Sequence, residues 1–337
     1  MLKHRYSQSG HWLWKSLAAL TLLLVSVFLL GPVNDFGADT PTQRAPAPTA
    51  LNELDGWLAN SEASMQALRP GTGKGIVWAN DEKKRTPWSV VYIHGFSASR
   101  METAPLADEV AKVLGANVFY TRLSGHGLPG EALGRATAHD WMADTLEAVR
   151  IGEALGEKVL VISCSTGATL ATWLGTGPDA SKVSAHVFIS PNFGLKNKLS
   201  ELVNGHWGQQ IALAVTGDTI SYTPTDPRES QAWTTVYPTQ AIFPMLALVK
   251  KVRDSDLSAF KTPVLVLFSA ADQTVDPEQI KQAFARLGST DKTLEAVIYS
   301  QSKGQHVLAG EIRDPQAVAP MSKFVVDWVR QLPQTRE

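Results

Sequence analysis

Four short stretches dominate what this chain can fold into: WSVVYIHG (88–95), KVLVISCS (158–165), SAHVFIS (184–190) and TPVLVLFSA (262–270). Each is a nearly unbroken run of Val, Ile, Leu and aromatic residues, too short for a buried helix. A strand wetted on one face alternates apolar and polar residues, and these do not. Both faces must therefore be covered, as in a parallel sheet sandwiched by helices. GIVWAN (75–80), NVFYTRL (117–123) and KTLEAVIYS (292–300) read as further strands. Helical spacing appears at 101–114, 139–155, 168–174, 277–287 and 318–331, between the strands. Such alternation predicts an α/β fold with a mostly parallel, doubly wound sheet and helices on both faces. A hydrophobic content of 44% supplies the core this needs.

About seventy residues separate VFISPNFG from TPVLVLFSA, more than a crossover requires. Residues 191–261 are expected to form an inserted, mainly helical lid over the carboxyl edge of the sheet, where open α/β sheets bind ligands. The core would then comprise 51–190 and 262–337. Residues 34–50, rich in Pro, Ala and Thr, read as a mobile linker. Residues 1–33 carry Lys3, Arg5 and Lys15 ahead of an uncharged run from Ser16 to Asn34. Eighteen residues at about 1.5 Å each span roughly 27 Å, close to a hydrocarbon core. Trp12 and Trp14 suit the interface. An uncleaved anchor is the expectation, with the N-terminus in the cytoplasm and the body outside it, on the periplasmic side in a bacterium. The alternative is export after signal cleavage, against which Phe36 stands at −3 if Ala38 is −1.

The stretch VLVISCSTGATLATWL (159–174) turns from strand to helix through small residues. A tight turn of this kind forces one serine into a strained, exposed position, here Ser165. Serine needs a base within bonding reach and a third group to orient that base. LFSAADQTVDP places Asp272 just past a buried strand, and VIYSQSKGQHVLAG places His306 in a loop after the next one. Taken singly, these residues suit a helix cap, an Asx-turn and a surface histidine. Together they give the order serine, acid, histidine, each at the carboxyl end of a strand. Asp276, the rival acid, suits a helix cap before Pro277. An oxyanion is best met by fixed backbone donors, and the N–H groups of Phe96 and Thr166 are the candidates. His94 is expected to brace its loop, and Cys164 to point into packing.

With these residues in view, the chain resembles the α/β-hydrolase superfamily, in particular the monoacylglycerol lipase and carboxylesterase group. The resemblance runs over roughly 74–332 and rests on HGF, RLSGHG (122–127), HDWMADTLEAV (139–149), the elbow, ADQTVDP and QHVL. It implies Ser165 as nucleophile, Asp272 as acid, His306 as base, Phe96 and Thr166 as oxyanion donors, and a lid that selects the substrate. The first glycine of the family's G-x-S-x-G elbow is replaced here by Ser163.

The reading is a serine hydrolase of carboxylic esters, with a monoglyceride or lysolipid as the apolar substrate. Amidase, peptidase and thioesterase chemistry use the same triad, and a non-catalytic binding protein on this fold is the alternative from another class. Balanced charge, 31 basic against 32 acidic residues, argues against a nucleic-acid partner. No cofactor and no metal are expected, since the histidines lack paired-ligand spacing. GTGKG (71–75) lacks the spacing of a phosphate-binding loop and fits a turn. The single cysteine excludes an intrachain disulfide. Oligomeric state is left open.

Overall fold

The structure, a computed structural model, describes residues 6–333. Two helices, α1 (Tyr6–Leu29) and α2 (Leu51–Ala63), precede the body. The body begins with β1 (Gly75–Val77), β2 (Thr86–Ile93), α3 (Leu106–Leu114), β3 (Asn117–Tyr120), α4 (Gly130–Arg135) and α5 (Ala138–Leu155). It continues through β4 (Gly156–Cys164), α6 (Thr166–Thr176) and β5 (Ala185–Ile189). An insertion follows, holding α7 (Gly208–Thr216), β6 (Thr219–Ser221), α8 (Glu229–Ala232), β7 (Val236–Pro238) and α9 (Ile242–Asp254). The body resumes with β8 (Val264–Phe268), α10 (Pro277–Arg286), β9 (Lys292–Ala296) and α11 (Val318–Gln331).

Seven strands form one sheet in the order β1-β3-β2-β4-β5-β8-β9. All neighbours are parallel except β1, which runs antiparallel to β3. The unbroken apolar runs explain the burial on both faces. Val91, Ile93, Val161, Phe188 and Val266 pack into one core. Their chain neighbours Val90, Tyr92, Ile162, Val187 and Leu265 pack into the other. Successive strand side chains point to opposite faces, so a sheet of this composition is stable only between two helical layers. Register then fixes where the site lies. Ser163 stands beside Ile93 of β2 and Phe188 of β5, so these strands end at one edge.

Helix α3 starts later than the expected 101–114 helix. Pro105 stands at its N-cap, and a proline disfavours helical backbone in the residue before it. The insertion is also less helical than its composition suggests, since β6 and β7 pair as a small antiparallel ribbon.

The stretch 34–50 departs from the mobile linker its composition implies. It has no helix or strand, yet its side chains are bonded along the body. Asn34 Nδ2 donates to Asn204 Oδ1 at 2.8 Å and to the Phe243 carbonyl at 2.9 Å. Trp173 Nε1 donates to Asp39 at 2.9 Å. Arg44 pairs with the buried Asp144, and Ala47 is buried among core residues. The prolines remove donors, but the polar residues between them find fixed partners. Ahead of this strap, Trp12–Leu29 forms a helix long and apolar enough to cross a membrane, and its large apolar side chains are exposed.

Candidate active site

The turn from β4 into α6 holds Ser165 at φ 53 and ψ −118, a region that L-residues rarely occupy. Its N–H donates to the Ile189 carbonyl at 2.9 Å, and its carbonyl accepts from the Asn192 N–H at 3.1 Å. These bonds hold the strained residue from both sides. Gly167 is required by contact. A Cβ there would lie 2.2 Å from the Ile93 carbonyl oxygen and 2.6 Å from that of His94. Ser163, where the family pattern has glycine, is fully buried, and its Oγ makes a long 3.5 Å bond to the Val187 carbonyl. A small hydroxyl therefore fits between β4 and β5.

Three distant residues converge at this turn. Ser165 Oγ lies 3.0 Å from His306 Nε2, and His306 Nδ1 lies 2.8 Å from Asp272 Oδ2. The other oxygen of Asp272 accepts the N–H groups of Thr274 and Val275 at 2.7 and 2.9 Å. Asp272 is fully buried, so these donors are what allow its charge there. The His306 loop is tied down by Ser190 Oγ, which donates to the His306 carbonyl at 2.6 Å. A further bond runs from Gln273 N–H to the Gly304 carbonyl at 2.9 Å. Asp276 instead caps α10 through the Glu278 N–H and pairs with Lys198.

Residues 94–97 follow β2 at the same edge. Among the described residues, the N–H groups of Phe96 and Thr166 have no acceptor. Their loop is fixed by its neighbours. Ser97 N–H donates to His126 Nε2 at 3.0 Å, and Leu123 N–H donates to His94 Nε2 at 3.0 Å. Both nitrogens must stay unprotonated to accept. Burial assists, pushing His94 down to about 4 and lowering His126 as well. Cys164 is buried, and desolvation raises its thiol above the ordinary range, which disfavours a thiolate.

Three further groups were not legible in the sequence. Glu102 is 2% exposed, and its carboxyl accepts the Gly95 N–H at 2.7 Å and the Tyr92 hydroxyl at 2.9 Å. Burial pushes it up to about 7. A Cβ on Gly95 would sit 3.1 Å from Ser165 Cβ and 3.2 Å from Glu102 Oε2, so only glycine separates the two. Asn192 positions Ser165 through its backbone, as described above. Tyr222, from the insertion, lines the cavity over the serine. No spacing rule links any of these to the elbow.

The cavity has a volume of about 490 Å³ and is lined from both core and insertion, with Phe96, Leu195, Trp233, Tyr237 and Met245 among its apolar walls. Ser165, Thr166 and His306 line it as well. Among the described residues, no group of three or more His, Cys, Asp or Glu side chains could hold a metal ion.

The family described as serine aminopeptidase, S33, matches residues 84–311. The chain belongs to this family of α/β-hydrolases. This hydrolase is 26% identical over 220 residues to the thermostable monoacylglycerol lipase of a Bacillus species (strain H-257), a match covering 62% of this chain and 80% of the relative. Among solved structures, it resembles a metagenome-derived lipolytic enzyme with TM-score 0.63 and 21% identity, covering 79% of this chain and 99% of the other. A soluble variant of the Saccharomyces cerevisiae monoglyceride lipase gives TM-score 0.59 and 15% identity, over 76% and 90% of the two chains. These structural likenesses establish the α/β-hydrolase fold of this hydrolase.

Proposed function

We propose that the chain cleaves carboxylic esters through an acyl-enzyme on Ser165. The observation that carries this reading is the unbroken path from Ser165 Oγ through His306 to Asp272, at 3.0 and 2.8 Å. His306 Nε2 takes the hydroxyl proton as Oγ attacks the ester carbonyl carbon. Asp272 holds Nδ1–H and stabilises the imidazolium that forms. The oxygen that gains charge is received by the amides of Phe96 and Thr166, which are free to donate. His306 then returns the proton to the departing alcohol. A water, deprotonated by the same nitrogen, frees the acid and restores the serine.

Residues 191–261 act as a lid whose aromatic and apolar walls accept the acyl chain. The names of the relatives support a monoacylglycerol or similar lipid ester as substrate. Residues 12–29 anchor the enzyme in a membrane with its body outside the cytoplasm.

The test uses the full-length chain in detergent. Ser165→Ala should abolish labelling by a fluorophosphonate and lower the hydrolysis rate of p-nitrophenyl esters by about 10⁶-fold. Labelling that persists in this variant would overturn the assignment. The family description favours one second reading, aminopeptidase action, so amino-acid p-nitroanilides belong in the same panel. Turnover of the anilides above that of the esters would replace the ester reading.

A further inference from the structure

Helix α2 carries a carboxylate on the face it turns to the body. Leu54 and Leu58, one turn apart, are buried in the core. Glu62, one turn further on, falls on the same face. A charge in an apolar stripe is costly unless it meets its opposite. Glu62 accepts from Arg122 Nε and Nη2, both at 2.9 Å, and from the Lys74 N–H at 3.1 Å. Arg122 is 4% exposed, and among the described residues Glu62 is its sole carboxylate partner. Burial opposes the charge on Glu62, but the bonds and charge of Arg122 outweigh it and hold the carboxyl below its ordinary range.

Arg122 opens the loop 122–127, which braces the residues after β2. Its Nη1 donates to the His126 carbonyl at 3.3 Å. The ring of His126 receives the Ser97 N–H, and the Leu123 N–H of the same loop is received by His94. Since His94 Nε2 accepts, Nδ1 carries the proton and donates to the Gly95 carbonyl oxygen at 2.9 Å. That oxygen belongs to the peptide whose N–H is that of Phe96. Both sides of the Phe96 amide are thus held by imidazoles bonded to, or borne by, the Arg122 loop. Asp144 holds the middle of this loop through the Ser124 N–H at 2.6 Å and pairs with Arg44, which leaves Glu62 to neutralise the Arg122 end.

We propose that Glu62 is a positioning residue for the oxyanion site: paired with Arg122, it fixes the loop that aims the Phe96 N–H at the ester oxygen. The inference rests on the acyl-enzyme reading of Ser165. Glu62 is not among the residues lining the cavity, and α2 lies ahead of residues 84–311, the stretch matched to the family. Its influence therefore passes through one ion pair and two imidazoles. A donor displaced by a fraction of an ångström loses its grip on the charged oxygen of the transition state and leaves the binding of the neutral ester almost untouched.

The test compares full-length Glu62→Gln with Asp55→Asn in detergent. Asp55, also on α2, pairs with Lys83 at 2.6 Å and accepts from Trp78 Nε1 at 3.2 Å, bonds that hold the helix without reaching the 122–127 loop. Titration with a fluorophosphonate counts the working sites, so kcat is read per labelled serine and a merely unfolded fraction drops out. On p-nitrophenyl butyrate, Glu62→Gln should lose about tenfold in kcat with KM within about twofold of the parent. The Ki of a trifluoromethyl ketone, whose adduct on Ser165 places a charged oxygen at the Phe96 and Thr166 amides, should rise about tenfold with it. Asp55→Asn should match the parent in all three. A parental kcat in Glu62→Gln, a loss with unchanged Ki, or equal losses in both variants overturns the positioning role and leaves the acyl-enzyme standing. A parent that takes no label overturns both. Should Glu62→Gln yield no labelled sites, Glu62→Asp carries the test, since it keeps the charge and is one methylene too short for both guanidinium bonds. Its kcat per site should fall a few-fold, and a parental value overturns the role.

Discussion

Replacing Glu102 with glutamine should flatten the pH dependence of stability between about pH 4.5 and pH 8. The carboxyl is buried behind Gly95, and desolvation raises it from the ordinary 4.5 of a glutamate to about 7. The Gly95 amide and the Tyr92 hydroxyl donate to it and hold the rise in check. A carboxyl raised in this way keeps its proton more tightly in the folded chain than in the unfolded one. Its contribution is therefore complete below pH 4.5 and is lost as pH rises through about 7. At about 1.4 kcal/mol for each pH unit between the two values, the loss is roughly 3 kcal/mol. Glutamine retains an oxygen for the Gly95 N–H and has nothing to titrate. Urea unfolding of both full-length proteins in detergent, at pH 4.5 and pH 8, measures this directly. The parent should lose about 3 kcal/mol more than the variant between the two conditions. Parallel stability curves would refute the reasoning, because the carboxyl would then be ionised in the folded chain without penalty.

Gly167→Ala should prevent correct folding of the elbow, since the new methyl meets the backbone oxygens of Ile93, the last residue of β2, and His94. Ser163→Gly should fold and hydrolyse esters within a few-fold of the parent, and soluble yield with esterase rate checks both variants. Arg44→Ala should cost about 2 kcal/mol, because Asp144 is buried and loses a charged donor. It should also admit proteases to the strap at 34–50, read by limited digestion followed by mass mapping.

Strand identities were legible because burial on both faces leaves an unmistakable composition, as in VLVIS and VLVLF. The elbow was legible because Gly167 has no substitute where α6 crosses β2. The separation of Asp272 from Asp276 could also be read, since a proline at the following position marks a cap. What could not be read depends on tertiary partners. Nothing local announces that Asn34 and Asp39 find acceptors and donors on the insertion and on α6, so composition alone suggested a free linker. Glu102 looks like any surface glutamate in SRMETAP; its burial follows from a turn that folds it back beneath Gly95. The late start of α3 follows from Pro105, a signal present in the sequence and outweighed there by apolar spacing around it.

The backbone angle at Ser165 carries a consequence for protein engineering. Threonine also offers a hydroxyl and is often treated as a gentle exchange for serine. A branched Cβ tolerates positive φ poorly, and at position 165 the flanking bonds to Ile189 and Asn192 leave the backbone no way to relax. The fold thus rules out threonine at 165 before any chemical difference between the two alcohols comes into play.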